Sequence, residues 1–242
     1  MRLPAKLLAL AATPFLIAPA FAGDAAELNI LGFLEDGSVF AFEEFGVQDG
    51  SGFPYANRFY IDTANDSFVG GTPIRVRIDD EGATLQDARD EAHKRGQEIA
   101  EDRELAANRG VTAAYTPITE LSADPHRVMV NPRPVVPPID KPVEFRLEEM
   151  TLETPETCQG FGDTKGFRLK RIALEPEAQT ELVHEDTSAV PTSRRCPLGY
   201  SIGAVQTFFP AEGDPLYVVL IAVRSVGFEG PDHRWIAVPG KL

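Results

Sequence analysis

Cysteine is nearly absent from this 242-residue chain, which carries only Cys158 and Cys196. Two thiols without a Cys-x-x-Cys pair or paired histidines do not make a four-ligand zinc centre. Histidine is almost as sparse. His93, His126, His184 and His233 are scattered, and no H-E-x-x-H spacing occurs. The EF-hand spacing is missing too, so no resident metal and no cofactor are expected. Ser51 sits in Asp49-Gly50-Ser51-Gly52, but the G-x-S-x-G elbow of hydrolases needs glycine where Asp49 stands. Beyond residue 22 the longest apolar run is Leu216 to Val223, too short to cross a bilayer. Positive charge is in deficit, with 23 Lys+Arg against 37 Asp+Glu for a formal net of −14. Such a surface repels phosphate backbones and anionic lipid, which argues against nucleic acid and membrane surfaces as partners. No internal repeat recurs along the chain, which removes solenoids.

What is present begins with a leader. Arg2 and Lys6 supply a positive start, an apolar stretch runs from Leu7 to Ala18, and Ala20-Phe21-Ala22 offers small residues to a peptidase. That layout is a secretory signal peptide over residues 1–22, with cleavage after Ala22. Pro14 and Pro19 interrupt the run, which is short for a membrane anchor. No cysteine follows Ala22 to carry a lipid, and Arg2 stands alone where a twin-arginine signal needs a pair. The mature chain is therefore expected to be secreted or periplasmic, without membrane insertion. In an oxidising compartment Cys158 and Cys196 should pair. A bridge closing roughly 39 residues contributes on the order of 4 kcal/mol by chain-entropy arithmetic.

The mature chain reads as mainly β (α+β), with antiparallel sheets and one long, mostly exposed helix near 84–108. Strands are expected at Leu28–Phe33, Val39–Phe45, Asn57–Asp62 and Pro73–Asp79. In the last of these Ile74, Val76 and Ile78 alternate with Arg75 and Arg77, giving one wet face. Thr84 with Asp87 resembles a capping box at the helix start. The helix's apolar stripe is thin: Leu85, Ala88, Ala92, Ile99 and Ala106. Residues 23–130 then form an N-terminal β-rich region with the helix. Residues 131–143 hold five prolines and form an extended connector. Residues 144–242 form a second β-rich region with the disulfide, unless 23–242 is one continuous domain. Leu216–Val223 is apolar on both faces and should be a central, buried strand.

Two resemblances add to this reading. Phe33, Asp36-Gly37, Ala41-Phe42 and Tyr60-Ile61-Asp62 resemble one blade of TolB-type β-propellers over residues 33–62. The motif appears once, so it implies a local β-meander, since a propeller needs about four blades or more. Four wider blocks resemble a predicted secreted protein family, domain of unknown function 2259. They are FAFEEFGVQDGSGFPYANRFYID (Phe40–Asp62), TPIRVR (Thr72–Arg77), SRRCPLGYSI (Ser193–Ile202) and GFEGPDHRWIAV (Gly227–Val238). The resemblance implies an exported bacterial protein and carries no catalytic assignment.

Function is expected in two shaped loops, 46–55 and 227–234, because loops carry binding groups more often than core strands do. The candidate binding residues are Asp49, Ser51, Tyr55, Glu229, Asp232 and Arg234. Phe228 and Trp235 either pack across the second loop or form an exposed aromatic platform. Glu43, Glu44, Asp49, Asp62 and Asp66 offer oxygen ligands for calcium, or a carboxylate pair of the kind glycosidases use. With no catalytic signature, the leading expectation is a non-enzymatic binding module for an envelope protein, a glycan or a small molecule. The alternatives are an extracytoplasmic hydrolase and a calcium-stabilised structural module.

Overall fold

The computed structural model describes residues 23–242; the leader read at 1–22, with its cleavage point after Ala22, lies outside the described residues. The first sheet holds β1 (Glu27–Phe33), β2 (Val39–Val47), β3 (Pro54–Asp62), β4 (Ser67–Phe68) and β5 (Ile74–Arg77). Its strands are antiparallel in the order β1-β2-β3-β4, with β5 also hydrogen-bonded to β3. The Asp36-Gly37 turn joins β1 to β2, so the blade-like segment is a three-strand meander.

Two further antiparallel sheets follow. One contains β6 (Val111–Tyr115), β11 (Pro197–Phe208), β12 (Leu216–Ser225) and β13 (Asp232–Lys241), in the order β13-β12-β11-β6. The other contains β7 (Arg127–Val130), β8 (Val143–Thr151), β9 (Lys165–Ile172) and β10 (Glu181–Glu185), in the order β10-β9-β8-β7. The proline-rich stretch between β7 and β8 has no regular secondary structure. Arg133 and Asp140 pair across it at 2.6 Å.

β12 explains the layering. Side chains of a strand alternate between faces, and here both sets are apolar. Val218, Leu220 and Ala222 pack with Phe33, Phe40, Phe42 and Phe59 of the first sheet. Tyr217, Val219, Ile221 and Val223 pack with Phe145, Leu147, Phe167 and Leu169 of the β7–β10 sheet. The β6–β11–β12–β13 sheet is thus the middle layer, as the unbroken apolar run requires. Phe33 stacks on Phe208 at 4.7 Å and Phe42 on Phe59 at 4.6 Å. A phenylalanine withdrawn this far from water contributes roughly 2–3 kcal/mol.

The single helix expected over 84–108 is instead two: α1 (Leu85–Gly96) and α2 (Asp102–Ala107). The capping box forms, with the Thr84 hydroxyl accepting from the Asp87 N–H and the Asp87 carboxylate accepting from the Thr84 N–H at 2.7 Å. α1 is not simply exposed, because Ala88, Ala92 and Gly96 are buried against the first sheet. A Cβ on Gly96 would lie 2.3 Å from the Tyr60 hydroxyl, so only glycine permits this approach. The break has a geometric cause. At about 100° per residue, an unbroken helix would carry Leu105 about 180° around from Gly96, off the buried face. The interruption at 97–101 lets Leu105 bury fully, with Asp102 on the buried Arg58 guanidinium at 2.7 Å.

Cys158 and Cys196 form a disulfide with a Cα–Cα separation of 5.5 Å. It ties the short 3₁₀ turn Glu156–Cys158 to the segment Thr192–Arg194 that leads into β11.

Candidate functional site

The two loops foreseen as a shared site do meet. The Glu229 backbone N–H donates to the Asp49 carboxylate at 2.8 Å, and the Phe228 ring lies over Gly50. Phe228 is 80% exposed, whereas Trp235 is buried in the core, so the two aromatics neither pack together nor form one platform. Both loops are narrower than 46–55 and 227–234. Tyr55 belongs to β3, and Asp232 and Arg234 belong to β13. Ser51 turns inward on its own loop, donating to Gln48 Oε1 at 3.2 Å and accepting from the Phe53 N–H at 3.3 Å.

Tyr55, Asp232 and Arg234 converge on a residue that sequence reasoning missed, Asp24. Its carboxylate accepts from the Tyr55 hydroxyl at 2.8 Å and from Arg234 Nη2 at 2.6 Å. The Asp24 N–H donates to Asp232 Oδ1 at 3.1 Å, and Arg195 Nη1 donates to Asp232 Oδ2 at 3.2 Å. The Arg234 guanidinium also stacks over the Tyr55 ring, 4.7 Å from its centroid. Burial, reinforced by the Asp24 carboxylate, pushes the Tyr55 hydroxyl far above its ordinary value, so it remains a neutral donor. Burial likewise raises Asp232.

In front of this network opens a cleft of about 410 Å³, walled by β3 and β5, by β13 and by residues 193–195. Five arginines line it: Arg75, Arg77, Arg194, Arg195 and Arg234. That is more than a fifth of the 23 basic residues of an acidic chain. Four are paired. Arg77 holds Asp79 at 2.6 Å, Arg194 holds Asp186 at 2.7 Å, Arg195 holds Asp232 at 3.2 Å and Arg234 holds Asp24 at 2.6 Å. Among the described residues Arg75 makes no ion pair and no side-chain hydrogen bond; its guanidinium lies 5.7 Å from the Phe59 ring centroid. Arg195 is held at φ +56°, a conformation that favours glycine, immediately before Cys196.

The buried carboxylate of Glu44 also lines the cleft. It accepts from the Trp235 N–H at 2.8 Å and from Asn57 Nδ2 at 2.9 Å. Desolvation raises its pKa, and these bonds with the nearby Arg234 and Arg75 charges offset only part of that rise.

The acids considered for calcium are dispersed. Glu43 pairs with Arg89 at 2.9 Å, Asp62 accepts from the Ala64 N–H at 2.9 Å, and Asp66 lies 3.7 Å from His184. Among the described residues no three His, Cys, Asp or Glu side chains form a group able to hold a metal ion. Ser51 has no histidine partner among its hydrogen bonds.

The family model described as Predicted secreted protein (DUF2259) matches residues 41–241. The chain belongs to that family. The family match runs from β2 to the end of β13 and takes in every strand that walls the cleft, as well as both cysteines. It leaves out Asp24. Among the described residues of this family member, no helix is long and apolar enough to cross a membrane. No curated protein matches the chain. No solved structure matches it.

Proposed function

We propose that this secreted protein is a non-enzymatic binding module that captures an anionic group in the arginine-lined cleft. The observation that carries the reading is Arg75, the one cation of the five without an anionic partner among the described residues. A guanidinium offers a planar fork matched to carboxylate, phosphate or sulfate. A hydrogen bond to a charged group is worth about 1.5–3 kcal/mol. Arg195, tied to Asp232 through one nitrogen, has donors to spare. The ligand is then a small molecule or a charged substituent of an envelope glycan or protein, met after export with the leader removed behind Ala22. The acidic exterior disfavours nucleic acid there as well.

A second reading rests on Phe228, whose exposed ring is fixed by the Asp49–Glu229 hydrogen bond. An aromatic face presented in this way suits stacking on a sugar ring or a protein partner.

Thermal melting of the exported protein with acetate, sulfate and inorganic phosphate tests the first reading. A ligand of the folded state alone raises the midpoint with its concentration. A saturable rise with at least one anion, reduced in Arg75→Ala, supports anion capture. Equal shifts in parent and Arg75→Ala, or no shift with any of the three, overturn it.

A further inference from the structure

The cleft does not end at its arginines. A second cavity of about 240 Å³ adjoins the first along six side chains that line both, Phe59, Phe68, Ser193, Arg194, Trp235 and Ile236. Their characters differ. The first carries four arginines that the second lacks, Arg75, Arg77, Arg195 and Arg234. Beyond the shared residues, the second is walled chiefly by Phe42, Ile61, Pro191, Ala237 and Val238. Its polar side chains are His184, Asp66, Ser67, Ser193 and Arg194; the first two are engaged with each other at 3.7 Å and Arg194 with Asp186 at 2.7 Å. His184 is also bound to Asp186 at 3.2 Å and stacked on Phe167 at 4.7 Å. The far end therefore offers an apolar lining with its charges internally matched, and the near end offers cations with one unmatched. Phe68, on the two-residue strand β4, is half-exposed at the junction. A ring left in water there gains by being covered.

We infer that the ligand is an amphipathic anion, an alkyl carboxylate whose head group sits at Arg75 and Arg195 and whose chain runs along Phe59 and Phe68 towards Ile61. The inference rests on the anion-capture reading and adds the apolar body to it. A head group without a tail would leave the second cavity unfilled. A tail without a head group would leave Arg75 without an ion pair. Each methylene buried along the groove tightens binding by about fourfold, the equivalent of about 0.8 kcal/mol. The gain should stop where the groove ends.

The chain supplies its own reporter, because Trp235 is the sole tryptophan and lines both cavities. Tryptophan fluorescence of the exported protein is titrated with acetate, butanoate, hexanoate, octanoate and decanoate, each below its micelle concentration, and with 1-octanol. The expected result is a saturable change whose dissociation constant falls stepwise with chain length and then levels. Octanoate should bind at least tenfold more weakly to Arg75→Ala. Phe68→Ala should flatten the chain-length series and leave acetate unchanged. Both side chains are substantially exposed, and unfolding curves verify that the variants fold. Binding of acetate and octanoate with equal affinity overturns the apolar body and leaves the anion cleft standing. Equal binding of octanoate and 1-octanol, or of octanoate by parent and Arg75→Ala, overturns the head-group assignment. Absence of binding by every carboxylate in the series overturns this inference, and anion capture falls with it only where sulfate and phosphate also leave the melting midpoint unmoved.

Discussion

Arg234 Nη2 lies 2.6 Å from Asp24 Oδ2, and the two side chains are 19% and 2% exposed. The pair fastens the first described residues of the chain to β13, beside the backbone bridge in which the Ala26 N–H donates to the His233 carbonyl at 3.1 Å. Removing one partner of a buried ion pair strands the other. Arg234→Ala should therefore cost about 3–5 kcal/mol. Asp24→Asn should cost less, because the amide oxygen can still accept from Tyr55 or Arg234. Denaturant unfolding of both variants measures this, and a loss for Asp24→Asn as large as that for Arg234→Ala would contradict it, because the whole effect would then lie in the charge.

The disulfide makes the second prediction. Cys158→Ser opens the crosslink between the Glu156–Cys158 turn and the segment that carries Arg194 and Arg195. The expected loss is about 2–5 kcal/mol. Melting under oxidising conditions should show it, and a midpoint equal to the parent's would contradict it.

His184 gives stability a pH dependence. Burial alone would lower its pKa, but hydrogen bonds to Asp186 and Asp66 outweigh burial and hold it up at about 9. An unfolded histidine titrates near 6.5. The stabilisation from the charged ring is thus complete below about pH 6.5 and is lost as pH rises through about 9. The loss can reach on the order of 3 kcal/mol. His184→Gln should flatten unfolding free energy across that interval. An unchanged slope would place the titration elsewhere.

Arg195 separates stability from binding. Its φ of +56° suits glycine better than a residue with a Cβ, while its guanidinium faces the cleft. Arg195→Gly should hold stability or raise it by up to about 1 kcal/mol. Its bond to Asp232 is half-exposed and contributes little. The same substitution should weaken anion binding. A loss of stability with unchanged binding would make Arg195 a purely structural residue.

Glu44 sets the sign of a fifth change. Its carboxylate shares the cleft with Arg75 and Arg234 and opposes an incoming anion. Glu44→Gln keeps an acceptor for the Trp235 N–H and removes the opposing charge. Octanoate or sulfate should bind more tightly to the variant, and weaker binding would show that Glu44 holds the ligand rather than repels it.

Much of the fold is legible in local pattern. The doubly apolar run of β12 dictates a middle layer, the Thr84–Asp87 box sets the start of α1, and two cysteines in an exported chain can pair only with each other. The helix break was not legible because the groups α2 meets, β1 against Leu105 and Arg58 of β3 against Asp102, lie far from the helix in sequence. The site was legible only in part. Asp49 and Glu229 do touch, and Tyr55, Asp232 and Arg234 do converge, but on Asp24, which stands among the first described residues and carries no motif. Arg75 and Arg77 read as the wet face of an ordinary strand, and they are exposed. Only the approach of β13 and residues 193–195 turns that wet face into the wall of a cleft.

Calorimetric titration of the exported protein and of Arg75→Ala with octanoate puts the cleft to its most direct trial. Binding with one site per chain in the parent, weakened at least tenfold in the variant, is the expected outcome. Identical heats for the two proteins would mean that the arginine cleft is not where this protein meets its ligand.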